Sequence, residues 1–499
     1  MGVMRRLLLL PLLLAAAVSA QPAGVAALDA HLSATLAAWN APGLAVSVVK
    51  DGEVIFIKGF GVRKLGGGPV TPETKYAIAS TTKAFTTTAM AILADDGKMS
   101  WDDPVRKHLP TFRLSDPLAD QHVTLRDLVS HRTGISRNDQ LWLSTVLGRE
   151  ELMARIAFLP LARPFRALYQ YQNILYMAAG EAVGKASGGT WEDFVHKRIL
   201  APLGMNGTDF SARDAYKAAD LAMPYAKRDG QVREQEWRTY DNIGGAGAMN
   251  STLADMTLWL RMQLAGGIFK DQRIVSAKNL RETHTPQMIM PLDEEWREAN
   301  PESNMAAYGL GWIVQDYRGR HMVSHGGSLH GFRSIVAMLP NEGIGLVAWT
   351  NLGDSLLPPA IRNAVFDRLL GLPERDWNAL FLALSAKREG VLAEARAKRA
   401  AERAKESRPS LPLAGYAGDY ENPAYGTARV FLAGDSLALT WNRVAASLNH
   451  WHYDTFRSAE DRLGDDALAT FVLGPEGKPV ELRFLGQSFR RVEKREDAK

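Results

Sequence analysis

The chain has 499 residues, 46% of them hydrophobic and 23% charged, an ordinary balance for a folded chain of two or three domains. A formal net charge of +4 is too mild to argue for nucleic acid, and the sequence carries no RNP-like, zinc-finger or basic helix–turn–helix pattern, so no nucleic-acid partner is expected. With no cysteine, the chain has neither disulfides nor thiolate metal sites, cysteine nucleophiles or a lipid-anchor cysteine.

In chain order, Arg5 and Arg6 precede an apolar run over 7–18, and Val18-Ser19-Ala20 offers small residues for cleavage. This pattern predicts a signal peptide over 1–20 and a periplasmic or secreted protein. The run is shorter than the ~20 residues of a membrane span, so no stable span is expected after cleavage. Residues 24–39 have helical apolar spacing (Val25, Leu28, Leu32, Leu36), and 44–50 and 53–58 read as strands joined by the tight turn Asp51-Gly52. After a Gly/Pro-rich loop over 61–72, a helical pattern runs from Ser80 through Ala84, Phe85, Ala89, Ile92 and Leu93 to Asp95-Asp96-Gly97. Residues 86–270 read as mostly helical with long irregular connections.

Beyond residue 307, short β-branched or aromatic runs at 308–315, 321–325, 332–338 and 344–350 read as strands. The N-terminal hairpin and this meander predict one antiparallel sheet built from both ends of a domain, with the helical middle packed beside it. A helix is predicted over 358–370, and Gly371-Leu372-Pro373 marks a boundary. A charged, solvated linker helix follows. From 413 on, runs at 428–432, 436–441, 468–472 and 480–484 alternate with turns, which predicts a small all-β, barrel-like domain. The expected division is a main domain over 21–372, a charged helical linker over 373–411 and an all-β domain over 412–499.

The chemistry centres on Ser80. A serine hydroxyl is a poor nucleophile at neutral pH unless a neighbour takes its proton. Lys83 lies one helical turn on and on the same face, and it can be that neighbour if burial or nearby positive charge lowers its pKa. The helix start adds backbone N–H groups suited to an oxyanion. On its own, S-x-x-K describes many capped surface helices. Here Ala79, Ala84 and Phe85 make the flanks apolar, and a buried lysine needs a reason.

Two further stretches are candidate partners. Tyr171-Gln172-Asn173 precedes a helical run and offers a phenol for proton transfer and an amide that both donates and accepts. Tyr169 and Tyr176, beside it, read as packing residues. His325-Gly326-Gly327-Ser328 ends a predicted strand, where small residues let a substrate backbone lie along a sheet edge and an N–H near Ser328 complete an oxyanion hole. On spacing alone this stretch is equally a glycine-rich turn with a surface histidine. His131, in a Ser-His-Arg-Thr-Gly turn, reads as a structural hydrogen-bonder. Gly326-Gly327-Ser328 does not fit a G-x-S-x-G elbow, because position 330 is histidine. His450 and His452 have no evident third ligand, so packing is the expectation there; no metal or cofactor is expected.

Taken together and in this order, Ser80-Thr-Thr-Lys83, Tyr171-Gln-Asn173 and His325-Gly-Gly327 resemble the active-site elements of the serine β-lactamase and penicillin-binding-protein superfamily. The resemblance is to its class C, DD-peptidase, D-aminopeptidase and esterase branch. The phrases 124–134, 244–252 and 331–334 look familial too, and the similarity spans roughly 25–370. The C-terminal domain, with its stretches 420–426 and 450–453, resembles a lipocalin-like module. The resemblance implies an α/β, β-lactamase/transpeptidase-like fold: an antiparallel sheet flanked by helices, a helical subdomain and the C-terminal barrel. It implies Ser80 as acylated nucleophile, with Lys83 and Tyr171 sharing the base and acid roles. Asn173 would orient the substrate amide, and the backbone N–H groups of Ser80 and Ser328 would form the oxyanion hole. His325 stands where many relatives carry a lysine that pairs with the substrate carboxylate, and it could do so only when protonated. That departure points away from efficient β-lactam hydrolysis. The expected substrate is a D-amino-acid peptide or a β-lactam-related compound, cleaved at an amide or ester bond through a Ser80 acyl-enzyme. A short-chain carboxylesterase and a noncatalytic penicillin-binding sensor or scaffold are the alternatives. The expected partner is a small-molecule or peptide substrate, and self-association into a homo-oligomer is left open.

Overall fold

The two residues Asp51 and Gly52 both have positive φ, 50° and 82°, the backbone that a tight hairpin needs. They join β1 (Gly43–Lys50) to β2 (Glu53–Gly61) in a computed structural model that describes residues 25, 27–143, 145–228, 230–458 and 467–492. The stretch read as a signal peptide lies outside the described residues. The remaining strands of this sheet come from far along the chain: β3 (Met288–Ile289), β4 (Ala306–Tyr308), β5 (Ile313–Tyr317), β6 (Arg320–Leu329), β7 (Phe332–Leu339) and β8 (Ile344–Thr350). Their order is β2-β1-β8-β7-β6-β5-β4-β3, antiparallel throughout. β1 thus pairs with β8, and both ends of the domain do build one sheet.

The run over 308–315 is not one strand. It breaks into β4 and β5 at Gly311, whose φ is +83°. A Cβ there would lie 3.0 Å from the Lys83 carbonyl oxygen and 2.7 Å from Thr87 Oγ1. The connection is wedged against the helix that carries Lys83, and a straight strand cannot occupy that space.

Six helices organise the rest: α1 (Leu28–Trp39), α2 (Thr82–Asp95), α3 (Asn173–Ser187), α4 (Leu253–Leu264), α5 (Leu357–Leu370) and α6 (Trp377–Ala401). Alternation along β7 and β8 divides the core. Val336, Met338, Val347 and Trp349 face α2, α3 and α4, whereas Ile335, Ala337, Leu346 and Ala348 face α1 and α5. In α2, every residue from Thr82 to Leu93 is buried, so this helix is enclosed on all sides. Phe85 stacks on Trp259 of α4 with ring centroids 3.9 Å apart.

The C-terminal strands form a closed eight-stranded barrel: β9 (Gly418–Asn422), β10 (Gly426–Ala433), β11 (Ser436–Trp441), β12 (Val444–His452), β13 (Thr455–Ser458), β14 (Leu468–Leu473), β15 (Pro479–Phe484) and β16 (Gln487–Val492). Four of these (β9, β12, β13 and β16) escape a reading of apolar runs. None of them contains a continuous apolar run: in β12 only alternate residues Val444, Ala446 and Leu448 are buried, and β9, β13 and β16 each bury a single large aromatic among polar residues. Tyr416, Tyr420, Trp441, Phe456, Phe471, Phe484 and Phe489 are all buried, so the interior is packed with side chains. Hydrogen bonds join the barrel to the main domain at Tyr425, whose Oη donates to Asn138 Oδ1 at 2.8 Å, and at Pro423, whose carbonyl accepts from Arg155 at 2.7 Å.

β6 meets the turn before α2 at Gly327, where a Cβ would sit 2.2 Å from Ser334 Oγ and 2.4 Å from the Ile78 carbonyl oxygen. The latter is backbone and cannot swing aside. Gly327→Ala is therefore expected to cost about 1–3 kcal/mol of stability through overpacking, read as a shifted urea midpoint. An unchanged midpoint would show that the strand and turn separate freely.

Candidate active site

The chain enters the site along Lys75–Ala77, which pairs with Asn250–Thr252. It then turns sharply: Ala79 has φ +52°, a left-handed conformation that costs a non-glycine residue on the order of 1–2 kcal/mol. The surroundings hold it there. Ser334 Oγ and Thr81 Oγ1 both donate to the Ile78 carbonyl at 2.8 Å, and the Ile78 N–H donates to Met249 O at 3.0 Å. A short 3-10 turn, Ala79–Thr81, runs into α2 and leaves Ser80 half-exposed among buried neighbours. The strain is spent at one residue, the one before the hydroxyl.

Lys83 is fully buried, and its Nζ has three polar neighbours: Asn173 Oδ1 at 2.8 Å, the Ala246 carbonyl at 2.7 Å and Ser80 Oγ at 3.1 Å. All three are uncharged. Burial, with Arg137 nearby, holds its pKa well below the ordinary lysine range, against a smaller opposing pull from Asp139. A neutral amine has two N–H donors and one lone pair. Asn173 and Ala246 can only accept at those atoms, so they take the two donors, and the lone pair is left facing the Ser80 hydroxyl.

Tyr171 Oη donates to Ser80 Oγ at 2.9 Å, and Lys83 Nζ lies 4.9 Å from its ring centre. Burial pushes this phenol's pKa above the usual tyrosine value, despite the bond to Ser80 and the charge of Arg137, so the proton stays on the ring oxygen. Ser80 Oγ accordingly has a proton donor on one side and a proton acceptor on the other. The structure brings Ser80, Lys83, Tyr171 and Asn173 into one hydrogen-bonded cluster.

Tyr171, Gln172 and Asn173 are held by a neighbouring loop. The Gln172 N–H donates to His131 Nδ1 at 3.1 Å, and Gln172 Oε1 caps α3 by accepting from the Ile174 N–H at 3.1 Å. His131 is buried and packed against Tyr171 and Tyr308, with centroids 4.3 and 4.4 Å away. It braces the tyrosine and has no contact with Ser80 among the described residues.

His325 is sealed. Its Nδ1–H donates to the Gly326 carbonyl at 2.6 Å, while Nε2 accepts from Tyr308 Oη at 2.9 Å. Burial first, and then the proximity of Lys83, push its pKa down to about 3. At neutral pH this imidazole carries no charge and turns both nitrogens to protein partners, which is not the arrangement of a carboxylate anchor. Gly326 and Ser328 are exposed on β6, past Ser324, the last residue of that strand that pairs with β5. Beyond Ser324 the strand edge is open along 325–329. His450 and His452 lie on β12 either side of a register irregularity, so simple alternation does not align them, and His450 Nε2 contacts the Tyr453 carbonyl. No group of residues suited to a metal ion is found among the described residues.

Several participants carry no sequence pattern. Asp139 Oδ1 accepts from Asn173 Nδ2 at 2.9 Å and from Trp142 Nε1 at 2.9 Å, which fixes the Asn173 amide with its oxygen toward Lys83. Its other oxygen accepts from Arg137 Nε. The Arg137 guanidinium lies 5.0 Å over the Tyr171 ring and its side chain is 60% exposed. Ala246 contributes only its carbonyl.

Comparison with known proteins places this geometry. The β-lactamase family model matches residues 28–367, and a domain of unknown function, DUF3471, matches 402–495. Two unguisins hydrolases are similar. The protein from Aspergillus campestris is 29% identical over 423 residues, 78% of this chain and 74% of its own. The one from Aspergillus violaceofuscus is 28% identical over 483 residues, covering 88% and 84%. Among solved structures, a D-amino acid amidase from Ochrobactrum anthropi SV3 superposes with TM-score 0.57 at 25% identity over 69% of this chain and 97% of its own. A penicillin-binding protein homologue from Pyrococcus abyssi, described as octameric, shares the fold with TM-score 0.64 at 24% identity, covering 94% of this chain and all of its own. No helix among the described residues is long and apolar enough to cross a membrane. The chain belongs to the β-lactamase family and is a serine hydrolase of that fold.

Proposed function

We propose that Ser80 is acylated by an amide or ester substrate, with Lys83 as general base and Tyr171 as general acid. The observation that carries this reading is a fully buried amine whose hydrogen-bond partners are all uncharged, with Nζ 3.1 Å from a partly exposed serine's Oγ. Lys83 Nζ takes the Ser80 proton as Oγ bonds to the substrate carbonyl carbon. The developing oxyanion is met by N–H groups at the helix start and at Ser328. As the scissile bond breaks, Tyr171 gives its proton to the departing amine or alkoxide, and the proton on Lys83 then passes to the Tyr171 oxygen, which leaves the amine neutral and the phenol protonated again. Water then repeats the sequence on the acyl-enzyme and releases the acid. Asn173 would orient the substrate amide, as the resemblance implies, while its own amide holds Lys83.

For substrate class, the likeness to a D-amino acid amidase and to unguisins hydrolases supports peptide amides, with D-amino-acid peptides first. The uncharged His325 supports a short-chain ester reading next, since ester cleavage requires no anchor at that place. We further propose export through residues 1–20. A mature protein whose mass begins at Met1 would count against it.

Ser80→Ala is expected to abolish labelling by a fluorophosphonate and to lower turnover of p-nitrophenyl esters at least about a thousand-fold. Labelling that persists in this variant refutes the assignment. Slow labelling of the native protein with no steady-state turnover would instead favour a sensor.

The pH profile gives a second measurement. Lys83 acts when uncharged, so kcat/KM should rise through its lowered pKa, well below the ~10.4 of a free lysine. Tyr171 acts when protonated, so the alkaline limb should lie above the ordinary ~10. Asp139→Asn removes a negative charge that raises the Lys83 pKa, and should move the acid limb to lower pH. An acid limb near 10 in the native protein would contradict the assignment of Lys83 as base.

A further inference from the structure

With His325 uncharged and sealed, the cleft lacks a cation at the place where the resemblance expected one, yet a cation stands on its other wall. Arg137 lies over the face of Tyr171, whose hydroxyl is 2.9 Å from Ser80 Oγ. Three other basic side chains around the nucleophile (Lys83, His131 and His325) are buried, and burial lowers the pKa of each. Arg137 pairs with Asp139 through Nε, and its side chain is 60% exposed. The Asp139 carboxylate that pairs with Nε is shared with Asn173 and Trp142, so its charge is spread over three donors. The terminal N–H groups of a guanidinium paired only through Nε can still match a carboxylate in two-point geometry.

Its loop is held in place. Asn138, with φ +47°, donates to the Ser136 carbonyl at 2.8 Å and accepts from Tyr425 of the barrel at 2.8 Å. The residues on both sides of Arg137 are thereby fixed, so little order remains to be lost when an anion binds.

We propose that Arg137 is the substrate-carboxylate anchor of this site, so that the substrate is an amide or ester carrying an anionic group placed over the Tyr171 ring. The inference rests on the Ser80 reading above. It distinguishes acidic acyl donors and peptides from amino-acid amides bearing only an ammonium, which the guanidinium repels.

Boronic acids test it without requiring turnover, because boron accepts a lone pair from a serine Oγ and becomes tetrahedral and anionic in the site. Phenylboronic acid and its ortho-, meta- and para-carboxy derivatives are titrated by calorimetry into the full-length protein and into Arg137→Gln, Arg137→Lys and Ser80→Ala. In the native protein at least one carboxylate isomer should bind about ten-fold more tightly than the parent compound. That ratio should fall to about one in Arg137→Gln and be partly retained in Arg137→Lys. A native protein that gains nothing from any carboxylate, or a gain that survives in Arg137→Gln, overturns the proposal. Loss of parent and carboxylate binding by the same factor in Arg137→Gln assigns the residue a purely structural part and overturns it as well. Ser80→Ala reports separately on the nucleophile: undiminished binding of all four compounds there sinks the acyl-enzyme reading whatever the ratio. If no compound binds the native protein, both readings fall.

Discussion

One amine, held out of water by two carbonyl-type oxygens, is the constraint on which the rest of the site depends. Removing a lysine from solvent favours its neutral form, but that alone gives only a buried amine with no direction. Direction comes from Asn173 Oδ1 and the Ala246 carbonyl, which occupy both N–H groups and leave the lone pair toward Ser80. The two oxygens sit on separate elements, one at the start of α3 and one in the loop that follows Asp241, so α2 must be clamped between them. The complete burial of α2 over Thr82–Leu93 is the structural counterpart of that requirement.

The same logic explains the architecture around the nucleophile. The sheet contributes a rigid wall: β6 presses on the turn at Gly327, and Ser334 of β7 holds the Ile78 carbonyl. The helical lobe surrounds Lys83 of α2 with Tyr171 and Asn173 at the entry to α3 and with the Ala246 carbonyl before the strand that enters α4. Ser80 lies where the wall and the lobe meet. The positive φ at Ala79 lets the chain pass from the strand into the helix without moving the hydroxyl off that seam. A strained residue is tolerable there because four hydrogen-bonded or packed neighbours fix the turn, and a local cost on the order of 1–2 kcal/mol is small beside the burial of the whole helix.

Sequence reasoning recovers the parts of this design that are local. The Ser80–Lys83 spacing is one helical turn, so their meeting is dictated by the helix itself. The Asp51-Gly52 hairpin and the strand character of the meander are read in the same way. Tyr171, Asn173 and His325 lie about 90 to 245 positions from Ser80, and no periodicity connects them to it; only the family resemblance singled them out as one set. The charge state of His325 could not be read, because it is decided by burial beneath Tyr308 and beside Lys83, contacts between elements remote in sequence. Asp139, Arg137 and the Ala246 carbonyl were not legible at all. They act from loops whose conformation is set by what they touch, and one of them acts through its backbone, which any residue type possesses.

The barrel's part in this arrangement follows from what its interior excludes. Seven large aromatic side chains are buried within it, and its contact with the helical lobe is made by its surface. That surface reaches the helical lobe at Pro423 and Tyr425, and the latter bonds to the residue between Arg137 and Asp139. A single hydrogen bond of this kind adds only about 1 kcal/mol, too little to hold a domain in place by itself. Its placement gives it effect beyond its energy. The loop it touches carries the carboxylate that orients Asn173 and the guanidinium that lies over Tyr171, so a small restriction at Asn138 limits the freedom of both groups at once.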